Sequence, residues 1–386
     1  MTIPVKKIST FCKTGSGGTP SRSNNAFFEN GTIPWVKSGE LKNRYITEVE
    51  EYITDLAIEK SSAKLVSKGS LLIAMYGATV GEVSQLTFDA TTNQAICNIQ
   101  PDENVCDVNY LYRFLEASKP YLLSRRVGGG QPNISQGVIK DLDVPLPPLE
   151  EQRRIASILD QADVLRQKRQ QAIEKLDQLL QATFIDMFGD PVSNPKGWDL
   201  GRLGDLDALD RGISKHRPRG APELLGGIHP LIQTGDVARS QGYIRTFTST
   251  YSDLGLAQSK KWAKGTLCIT IAANIANTGI LTFEACFPDS VVGFTANQTS
   301  NVEFVQGLFL FFKQILEEKA PQSAQKNINL AILRDLEIPI PPQDLQKKWS
   351  KIALNIEDQK QKLYKQLDMQ NQLFSSLQNQ AFNGTL

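Results

Sequence analysis

The sequence has few of the features that mark membrane-spanning, disulfide-bonded or metal-binding proteins. Its apolar runs, such as residues 307–312, fall far short of the roughly 20 residues that cross a bilayer. Residues 1–7 lack the apolar core of a signal peptide. The five cysteines are odd in number, scattered and without a close CxxC pair, which argues against a disulfide framework and a zinc site. We therefore expect a cytoplasmic protein with no metal site, no membrane contact and reduced, mostly buried thiols.

Motifs of catalysis are also missing. No stretch matches the phosphate-binding pattern GxxxxGK[ST], and the glycine segment at residues 15–20 lacks its lysine. No Asn/Asp-Pro-Pro-aromatic motif of amino-methyltransferases is present. The two histidines, His216 and His229, stand outside any HExxH or Ser/His/Asp context. We expect no catalytic residue and no cofactor in this chain.

The balance of charge is nearly even, with 42 basic and 41 acidic residues and a net charge of +1. Phosphate contacts need lysine and arginine, so net charge gives no sign of a nucleic-acid partner. Locally, however, residues 211–219 hold four formal positive charges and no acid. That segment is either a solvated basic loop or a phosphate-binding one.

What the sequence does contain is an internal repeat. Residues 133–148, NISQGVIKDLDVPLPP, return as residues 327–342, NINLAILRDLEIPIPP. Seven of the sixteen positions are identical, and the offset is 194 residues. Residues 33–41 and 68–73 have echoes 196 residues later. The chain therefore reads as a tandem duplication.

A long helical pattern follows each copy of the proline-rich segment. Proline pairs at 147–148 and 341–342 fix the chain just before a helix begins, and no proline or glycine interrupts residues 149–188 or 343–382. Gly189 and Pro191 provide a stop for the first helix. Apolar residues at steps of three and four form a nearly heptad stripe on each helix. The expected helix-pairing residues are Ile155, Leu159, Ala162, Leu165, Ile173, Leu176 and Leu180 on the first helix, and Ile352, Ile356, Leu363, Leu367, Leu373 and Leu377 on the second.

The segments before each helix are rich in Gly, Ser, Thr and Asn, with short β-type runs at 69–76 and 265–271 and helical patterns near 109–117 and 305–318. The expected fold class is α+β: two tandem mixed α/β heads and two long helices that pair as an antiparallel coiled coil with a pseudo-two-fold axis. The expected division is residues 1–148 for the first head, 149–188 for the central helix, 189–342 for the second head and 343–386 for the C-terminal helix.

Antiparallel pairing of the two helices would place the heads at opposite ends of a rod. The polar stretches 166–171 and 359–362 would then meet and help to set the register. The alternative is that each helix packs only on its own head. A fixed separation of two heads suits DNA, whose half-sites lie at whole turns of about 34–36 Å on one face.

Several motifs resemble those of a known family. They are LPPLEEQRRIA at 146–156 with Leu159 and Asp160, FIDMF at 184–188, AFNG at 381–384, GSGGTP at 15–20, IPWV at 33–36 and GGQPNIS at 129–135. Together they resemble the specificity subunits of type I restriction-modification systems, over the whole chain and in the order head, helix, head, helix. The second copy departs from the pattern with Asp344 and Lys347 in place of Glu150 and Arg153, and residues 208–219 replace the glycine segment.

The resemblance implies a non-catalytic subunit with two target recognition domains, each of which reads half of a bipartite DNA site. It implies that the helices measure the spacer and dock two modification subunits, which methylate adenine with S-adenosylmethionine. Restriction subunits that use ATP and Mg²⁺ would bind to the same core. The implied partners are therefore double-stranded DNA, the modification subunits and possible restriction subunits, with every cofactor held by a partner.

Candidate DNA contacts follow from residue type. Arg and Lys contact guanine edges or phosphates, Asn and Gln contact adenine, and hydroxyls and glycine amides contact phosphates. In the first head the candidates are Ser16, Thr19, Arg22, Lys37, Ser38, Tyr76, Thr79, Arg125, Arg126 and Gln131. In the second head they are Lys215, His216, Arg217, Arg219, Gln233, Thr234, Lys260, Lys261, Asn274, Asn277, Gln325 and Lys326. The four tryptophans fit cores or joints better than base-stacking platforms.

A second hypothesis belongs to another class. The chain could be a structural coiled-coil adaptor whose two heads bind proteins. Removal of basic loop residues such as Arg125 and Arg126 would then leave salt-dependent DNA binding unchanged.

Overall fold

The computed structural model describes residues 3–126, 133–206, 208–216, 218–296, 300–319 and 327–386. Contacts divide the chain into unit 1, which holds Met1–Gln170 and Lys365–Leu386, and unit 2, which holds Gln171–Tyr364. Each unit contains one head and a length of each long helix. The division thus falls inside the helices, whereas the sequence led us to expect boundaries at their ends.

The head of unit 1 consists of short strands and helices that precede one long helix. The strands are β1 Val5–Lys7, β2 Cys12–Ser16, β3 Ile33–Val36, β4 Tyr45–Ile46, β5 Tyr52–Ile53, β6 Leu65–Val66, β7 Leu71–Ala74, β8 Val83–Leu86, β9 Ala90–Thr92, β10 Ile96–Pro101 and β11 Asp143–Pro145. The helices are α1 Ile8–Phe11, α2 Asp55–Lys60, α3 Val108–Ala117, α4 Lys119–Ser124, α5 Gln136–Lys140 and the long α6 Leu149–Phe188, with 3-10 turns at Asn25–Phe27 and Ser38–Glu40.

The head of unit 2 repeats this order of elements. Its strands are β12 Leu200–Arg202, β13 Ala208–Arg211, β14 Leu225–Leu231, β15 Gly242–Ile244, β16 Ser249–Tyr251, β17 Lys261–Trp262, β18 Leu267–Thr270, β19 Thr278–Leu281, β20 Ala285–Cys286, β21 Val291–Thr295 and β22 Glu337–Pro339. Its helices are α7 Leu203–Leu206, α8 Thr234–Arg239, α9 Asp253–Ala257, α10 Val302–Lys319, α11 Leu330–Arg334 and the long α12 Gln343–Asn383, with a 3-10 turn at Pro222–Leu224.

The sheets of the two heads have the same topology. A five-stranded sheet runs β2-β10-β7-β8-β4 in unit 1 and β13-β21-β18-β19-β15 in unit 2. A two-stranded ribbon joins β1 to β11 and β12 to β22, in both cases antiparallel. The edge strands β4 and β15 both run parallel to their neighbours. The duplication and the α+β class expected from the sequence are therefore confirmed.

The two long helices run antiparallel within each unit. In unit 1, Arg154 Nη2 donates to the carbonyl of Leu386 at 3.1 Å, and Arg166 Nε donates to Asn371 Oδ1 at 2.8 Å. Residue numbers therefore fall along α12 as they rise along α6. In unit 2, Lys360 Nζ lies 2.6 Å from Asp177 Oδ1. The expected ends of both helices are confirmed to within a residue, and Gly189 after α6 has a φ of +75°, which favours glycine.

Each helical segment packs on a head as well as on the other helix, so the alternative in which each helix packs only on its own head is wrong. In unit 1, Phe382 of α12 lies edge-on to Tyr110 and Phe114 of α3. In unit 2, the Phe184 ring of α6 lies 5.1 Å from that of Trp349 and 5.9 Å from that of Phe304. These aromatic contacts continue the core of each head into its helices.

The expected helix-pairing stripe needs two corrections. Leu165 and Leu373 are exposed, at 56% and 57%. The turn of α12 at Leu373 buries Phe374 instead, whose ring lies 4.3 Å from the guanidinium carbon of Arg166. The other stripe residues are buried or partly buried: Ile155, Leu159, Ala162, Ile173, Leu176, Leu180, Ile352, Ile356, Leu363, Leu367 and Leu377.

The polar stretches also pair differently from the expectation. Arg166 and Arg169 contact Asn371 and Gln366, which lie beyond the stretch 359–362 on α12. Lys360, from that stretch, contacts Asp177. The helices are therefore offset relative to the expected register.

Small buried residues complete the cores. All five cysteines are free, and only Cys12 is partly exposed. Burial raises the pKa of the Cys12 and Cys97 thiols to about 12, so both stay protonated and unreactive. Trp35, Trp262 and Trp349 are buried, as the core role expected for tryptophan requires.

In the described part of the chain, no helix has the length and apolar character needed to cross a membrane.

Candidate nucleic-acid interface

Four loops of unit 1 meet at the ends of β2, β3, β7 and β9. We call residues 16–20, 36–40, 75–82 and 92–95 the loop cluster of unit 1. Gly18 N donates to the carbonyl of Thr92 at 2.8 Å, and Asn93 N donates to that of Val36 at 3.0 Å. Thr79 Oγ1 donates to the carbonyl of Ser38 at 2.9 Å. Backbone bonds thus bring together segments that are far apart in the sequence.

Gly17 shows why this cluster needs glycine. A Cβ atom there would lie 2.1 Å from the Thr92 carbonyl oxygen and 2.4 Å from that of Asn93. Any side chain would push β2 away from the loop after β9. The glycine segment is therefore a close-packed turn, whatever contacts its neighbours make.

Most first-head candidates lie in or beside this cluster. Ser16 and Thr19 are exposed, and the Thr19 hydroxyl donates to Gln94. Tyr76, exposed by 41%, forms an isolated bridge with Asn133. Ser38 and Thr79 share the hydrogen bond given above. These side chains offer hydroxyl groups on one surface.

Arg22 and Lys37 lie beside the cluster but are paired with acids. Lys37 Nζ lies 2.7 Å from Glu50 Oε2 and 2.9 Å from Glu51 Oε1, and Arg22 Nη1 lies 2.5 Å from Glu51 Oε2. The Arg22 guanidinium also covers the rings of Phe28 and Trp35. Hydrogen bonds from Arg22 lower the pKa of Glu51 despite some desolvation, so that carboxylate stays charged. The sequence did not suggest this acidic pairing.

Arg125 and Arg126 follow α4 and are both exposed. The Arg125 guanidinium lies 5.1 Å from the centroid of the Tyr121 ring, and Arg126 Nε donates to the carbonyl of Leu123 at 2.8 Å. In the described residues no acid pairs with either guanidinium. Gln131 lies outside the described residues.

The glycine turn of unit 1 has a counterpart in unit 2, contrary to our reading of the sequence. A Cβ atom at Gly212 would lie 2.2 Å from the Phe287 carbonyl oxygen and 2.4 Å from that of Pro288. Gly212 N donates to the carbonyl of Val291, as Gly17 N does to that of Ile96. The two glycines are equivalent, and only the residues around them differ.

Two basic segments of unit 2 come together. Ser214 and Ser259 form an isolated bridge, and Gln258 Oε1 accepts from the backbone N–H groups of Lys215 and His216 at 2.7 and 3.0 Å. Lys260 and Lys261 follow directly, and Lys260 Nζ lies 3.8 Å from the centroid of the Trp262 ring. The structure thus gathers candidates that are more than 40 residues apart. Arg219 pairs with Asp289, and Arg217 lies outside the described residues.

The remaining second-head candidates occupy two places. Gln233 and Thr234 begin α8, and Gln233 Nε2 donates to Ser249 Oγ at 3.2 Å. Asn274 and Asn277 lie in the loop between β18 and β19. Lys313 Nζ donates to Asn277 Oδ1 at 2.9 Å, which engages that amide. Gln325 and Lys326 lie outside the described residues.

The sequence reasoning missed an ion-pair network at the joint of unit 1. Arg113, only 1% exposed, contacts Asp160 at 2.7 Å, Glu116 at 2.9 Å and Asp163 at 3.1 Å. Burial lowers its pKa, but the three carboxylates outweigh burial and the pKa of Arg113 is raised. A buried arginine surrounded by acids is a structural joint rather than a DNA contact. No local sequence pattern marks it.

Both heads match the sequence model of one protein family. The sequence model of the type I restriction modification DNA specificity domain matches residues 2–175 and 195–369, one stretch for each head. The chain belongs to this specificity-domain family. Two curated members of the family are 30% identical to the chain over shorter stretches. They are the type I restriction enzyme MjaIX specificity subunit of Methanocaldococcus jannaschii and the EcoR124I/EcoR124II specificity subunit of Escherichia coli.

The matched stretches are partial. They cover 54% of this chain and 52% of the M. jannaschii subunit, and 42% and 41% of this chain and the E. coli subunit. The chain thus matches about half the length, or less, of these two curated relatives.

Solved structures share the fold over the whole chain. One is described as the structural basis of complex assembly and conformational transition of the type I R-M system, with a TM-score of 0.59, 16% identity and 100% of both chains covered. Another is the type I restriction-modification S subunit from M. genitalium, with a TM-score of 0.59, 15% identity and 99% of both chains covered. At these identities the likeness concerns the fold of the specificity-domain family alone.

Proposed function

We propose that this chain is the DNA-recognition subunit of a type I restriction-modification complex. Each head reads one half of a bipartite site, and the long helices set the gap between the halves. The observation that carries this proposal is the pair of specificity-domain matches, one over each head. Both heads also carry exposed basic side chains in loops, Arg125 and Arg126 in unit 1 and Lys215 and Lys260 in unit 2.

The proposal assigns direct roles to exposed residues. Arg125 and Arg126 in unit 1, with Lys215 and Lys260 in unit 2, contact phosphates, because cations on loops can follow a backbone. Hydroxyls of Ser16, Ser38 and Thr234 add neutral phosphate contacts. Asn274 is the best placed reader of adenine, since an amide matches the adenine edge in two hydrogen bonds. These sites rest on residue type and exposure.

Catalysis belongs to the partners in this proposal. The chain binds double-stranded DNA and two modification subunits, which use S-adenosylmethionine, and restriction subunits with ATP and Mg²⁺ can join them. The specificity subunit supplies recognition and a scaffold, in the cytoplasm. Support comes from the names of the curated relatives, which are specificity subunits of such enzymes.

Co-expression of the chain with the modification subunit of its own system tests the proposal. Adenine methylation would be mapped on a library of random duplexes. The expected result is a split motif with a fixed, unspecified gap. Methylation without a motif would contradict sequence reading by the heads, and loss of all DNA binding would favour the adaptor with protein-binding heads.

A further inference from the structure

Unit 2 contains a cavity of about 460 Å³ between its head and its helical segments. This volume is in the range of sites for small organic ligands. The walls come from α6, α10 and α12, the start of β15 and the loop before β19. Gln241 and Leu310 are lining residues that are exposed, so the cavity opens to solvent beside them.

The equivalent place in unit 1 is filled by an arginine. Arg44 Nη1 donates to Asp160 Oδ1 at 2.6 Å, and its Nη2 donates to Asn109 Oδ1 at 2.8 Å. Its guanidinium lies 5.0 Å from the Tyr45 ring and 4.7 Å from the Tyr112 ring. In unit 1 the guanidinium group of Arg44 therefore occupies a site formed by two oxygen acceptors and two aromatic rings.

Strand register identifies the corresponding residues of unit 2. Ile46 pairs with Leu86 and Ile244 with Leu281, and Thr87 and Thr282 each donate to the carbonyl of the isoleucine. Counting back two residues from each isoleucine, Gly242 stands where unit 1 has Arg44. Tyr243 stands where it has Tyr45.

Only one of the two acceptors of Arg44 has a counterpart that can accept a hydrogen bond. Asp160 lies eight residues after Gln152, and the residue eight after the equivalent Gln346 is Leu354. Asp107 N and Asn301 N each donate to the buried glutamine of the following long helix, which aligns α3 with α10. Glu303 therefore replaces Asn109. A glycine has taken the place of the cation, while a carboxylate has taken the place of a neutral amide acceptor.

The second arginine of the unit 1 joint is also absent. Gly307 replaces Arg113, and a Cβ atom there would lie 2.6 Å from the Phe184 ring, so that ring fills the space beside it. The open volume thus lies on the Gly242 side. Gly307 and Gly242 both line the cavity.

The cavity walls carry lysines as well as acids. Lys360 Nζ lies 2.6 Å from Asp177 Oδ1, and Lys313 Nζ donates to Asn277 Oδ1 at 2.9 Å, so both lysines engage other partners.

Glu303 and Glu357 also line the cavity. Within the described residues, no cation or hydrogen-bond donor contacts the Glu303 carboxylate. Glu357, 8% exposed at its side chain, receives Arg245 and Gln361 on Oε1, so neither uses its Oε2. The buried Tyr243 hydroxyl has no hydrogen-bond partner among the residues that the structure describes. Burial, then the carboxylates of Glu303 and Glu357, raise the pKa of Tyr243, so the phenol stays neutral and its ring can face a cation.

We propose that this cavity binds a guanidinium group, as Arg44 provides one to the equivalent site of unit 1. The group is supplied by a small organic cation or by an arginine side chain of a bound protein. Glu303 accepts its hydrogen bonds, and the Tyr243 ring covers its face. A planar guanidinium suits this arrangement better than a spherical metal ion, because its donors diverge in one plane.

Calorimetric titration of the full chain with agmatine tests the proposal. The control ligand is N-butylurea, which keeps the planar head but has no charge. The expected result is saturable binding of agmatine and none of the urea. Equal binding of both ligands would overturn the proposal. It would also be overturned if the chain alone binds neither ligand and the Glu303→Gln variant assembles normally with the modification subunit.

Variants locate the site. Glu303→Gln should weaken agmatine binding about tenfold, because a hydrogen bond to a charged acceptor becomes one to a neutral acceptor. Glu284→Gln removes an exposed acid of the same unit that does not line the cavity, and should leave binding unchanged. An equal loss in both variants would mean that agmatine responds only to overall charge. Thermal unfolding of each variant checks that its fold is kept.

An agmatine titration of the complex with the modification subunit distinguishes the two sources of the guanidinium group. Of the experiments on this cavity, only this titration rests on the proposed function. If a partner arginine occupies the cavity, the complex no longer binds agmatine and Glu303→Gln weakens assembly. If the natural ligand is a free cation, the complex binds agmatine as the chain does. Failure to assemble any complex would concern the proposed function and leave the titration of the chain intact.

Discussion

Gln152 makes in unit 1 the hydrogen bonds that Gln346 makes in unit 2. Gln152 Nε2 donates to the Pro147 carbonyl at 2.8 Å, and Gln346 Nε2 donates to the Pro341 carbonyl at 2.9 Å. Each side-chain oxygen accepts the backbone N–H group that starts the head's major helix. Both glutamines are 1% exposed. A single buried amide therefore ties the proline segment, the long helix and the head together in each repeat.

Replacement of Gln152 by leucine should destabilise unit 1 by about 3 kcal/mol, because several buried polar groups lose their partners. Hydrogen exchange at the Asp107 amide, whose acceptor is removed, should accelerate strongly. Gln161→Leu changes an exposed glutamine of the same helix and should have little effect. Equal protection of Asp107 in both variants would show that the buried amide does not hold this joint.

The Arg113 network predicts a pH-dependent loss of stability. Arg113→Met leaves Asp160, Asp163 and Glu116 without their shared cation, which should cost about 3–5 kcal/mol near neutral pH. Burial already raises the pKa of Glu116, while Arg113 opposes that rise, so the variant should raise it further. The Glu116 carboxyl of the folded variant then takes up a proton more readily than that of the native chain.

The sign follows from this proton uptake. The stability difference between Arg113→Met and the native chain should be full at about pH 7.5 and should shrink as the pH falls towards about 5. Urea unfolding at both pH values measures it. Arg154→Met, which removes an exposed partner of Glu151, serves as the control. A difference that does not change with pH would mean that carboxylate charge is not the cause.

Much of the architecture could be predicted from sequence because its signals are local. Proline pairs and glycines mark the ends of α6 and α12, and the repeat predicts that the heads share a topology. Gly212 was missed because a side chain there would clash with the Phe287 carbonyl oxygen, which is remote in sequence. Leu165 and Leu373 were wrongly expected to be buried. A bulky neighbour such as Phe374 takes the buried position on its helical turn, which periodicity alone does not show.

The candidate site was predictable only in part. Residue type indicated basic loops, and the structure gathers Lys215 and Lys260, which no periodicity connects. Residue type could not show that Glu51 engages Arg22 and Lys37, since ion pairing depends on which loops meet. The same limit hid Arg113, because two of its three acids, Asp160 and Asp163, lie on α6.

Glu51 should restrain DNA binding by the first head. If the proposed function holds, Glu51→Gln frees Arg22 for phosphates, while Lys37 keeps Glu50 as its acidic partner. DNA affinity at low salt should rise several-fold, and the slope of log affinity against log salt should steepen by about one. Glu48→Gln removes a more exposed acid of the same charge that makes no ion pair among the described residues, and should change the slope much less. Identical slopes for the two variants would exclude a specific role for Glu51.

Arg125 and Arg126 should supply phosphate contacts. The double alanine variant is expected to flatten the salt slope by about two, with weaker binding to all sequences alike, because phosphate contacts carry no base information. Lys6 and Lys7 on β1 are exposed, and their double alanine variant makes the same change in charge. Fluorescence anisotropy over a range of salt concentrations compares the two. If the slopes match, net charge rather than this loop governs binding.

The helices should act as a ruler for the DNA gap, and Arg169 marks where to test this. Arg169 donates to Gln366 in unit 1, so these residues face each other on α6 and α12. Four helix-forming residues inserted after Arg169, matched by four before Gln366, add about 6 Å to each helix. The permitted gap between half-sites should lengthen by about one or two base pairs, since base pairs are about 3.4 Å apart. Methylation mapping should recover both half-sites unchanged.

The same insertion after Gly197, in an exposed turn, should leave the gap as it was. A helix variant that methylates with the native gap would show that spacing is set by the heads instead.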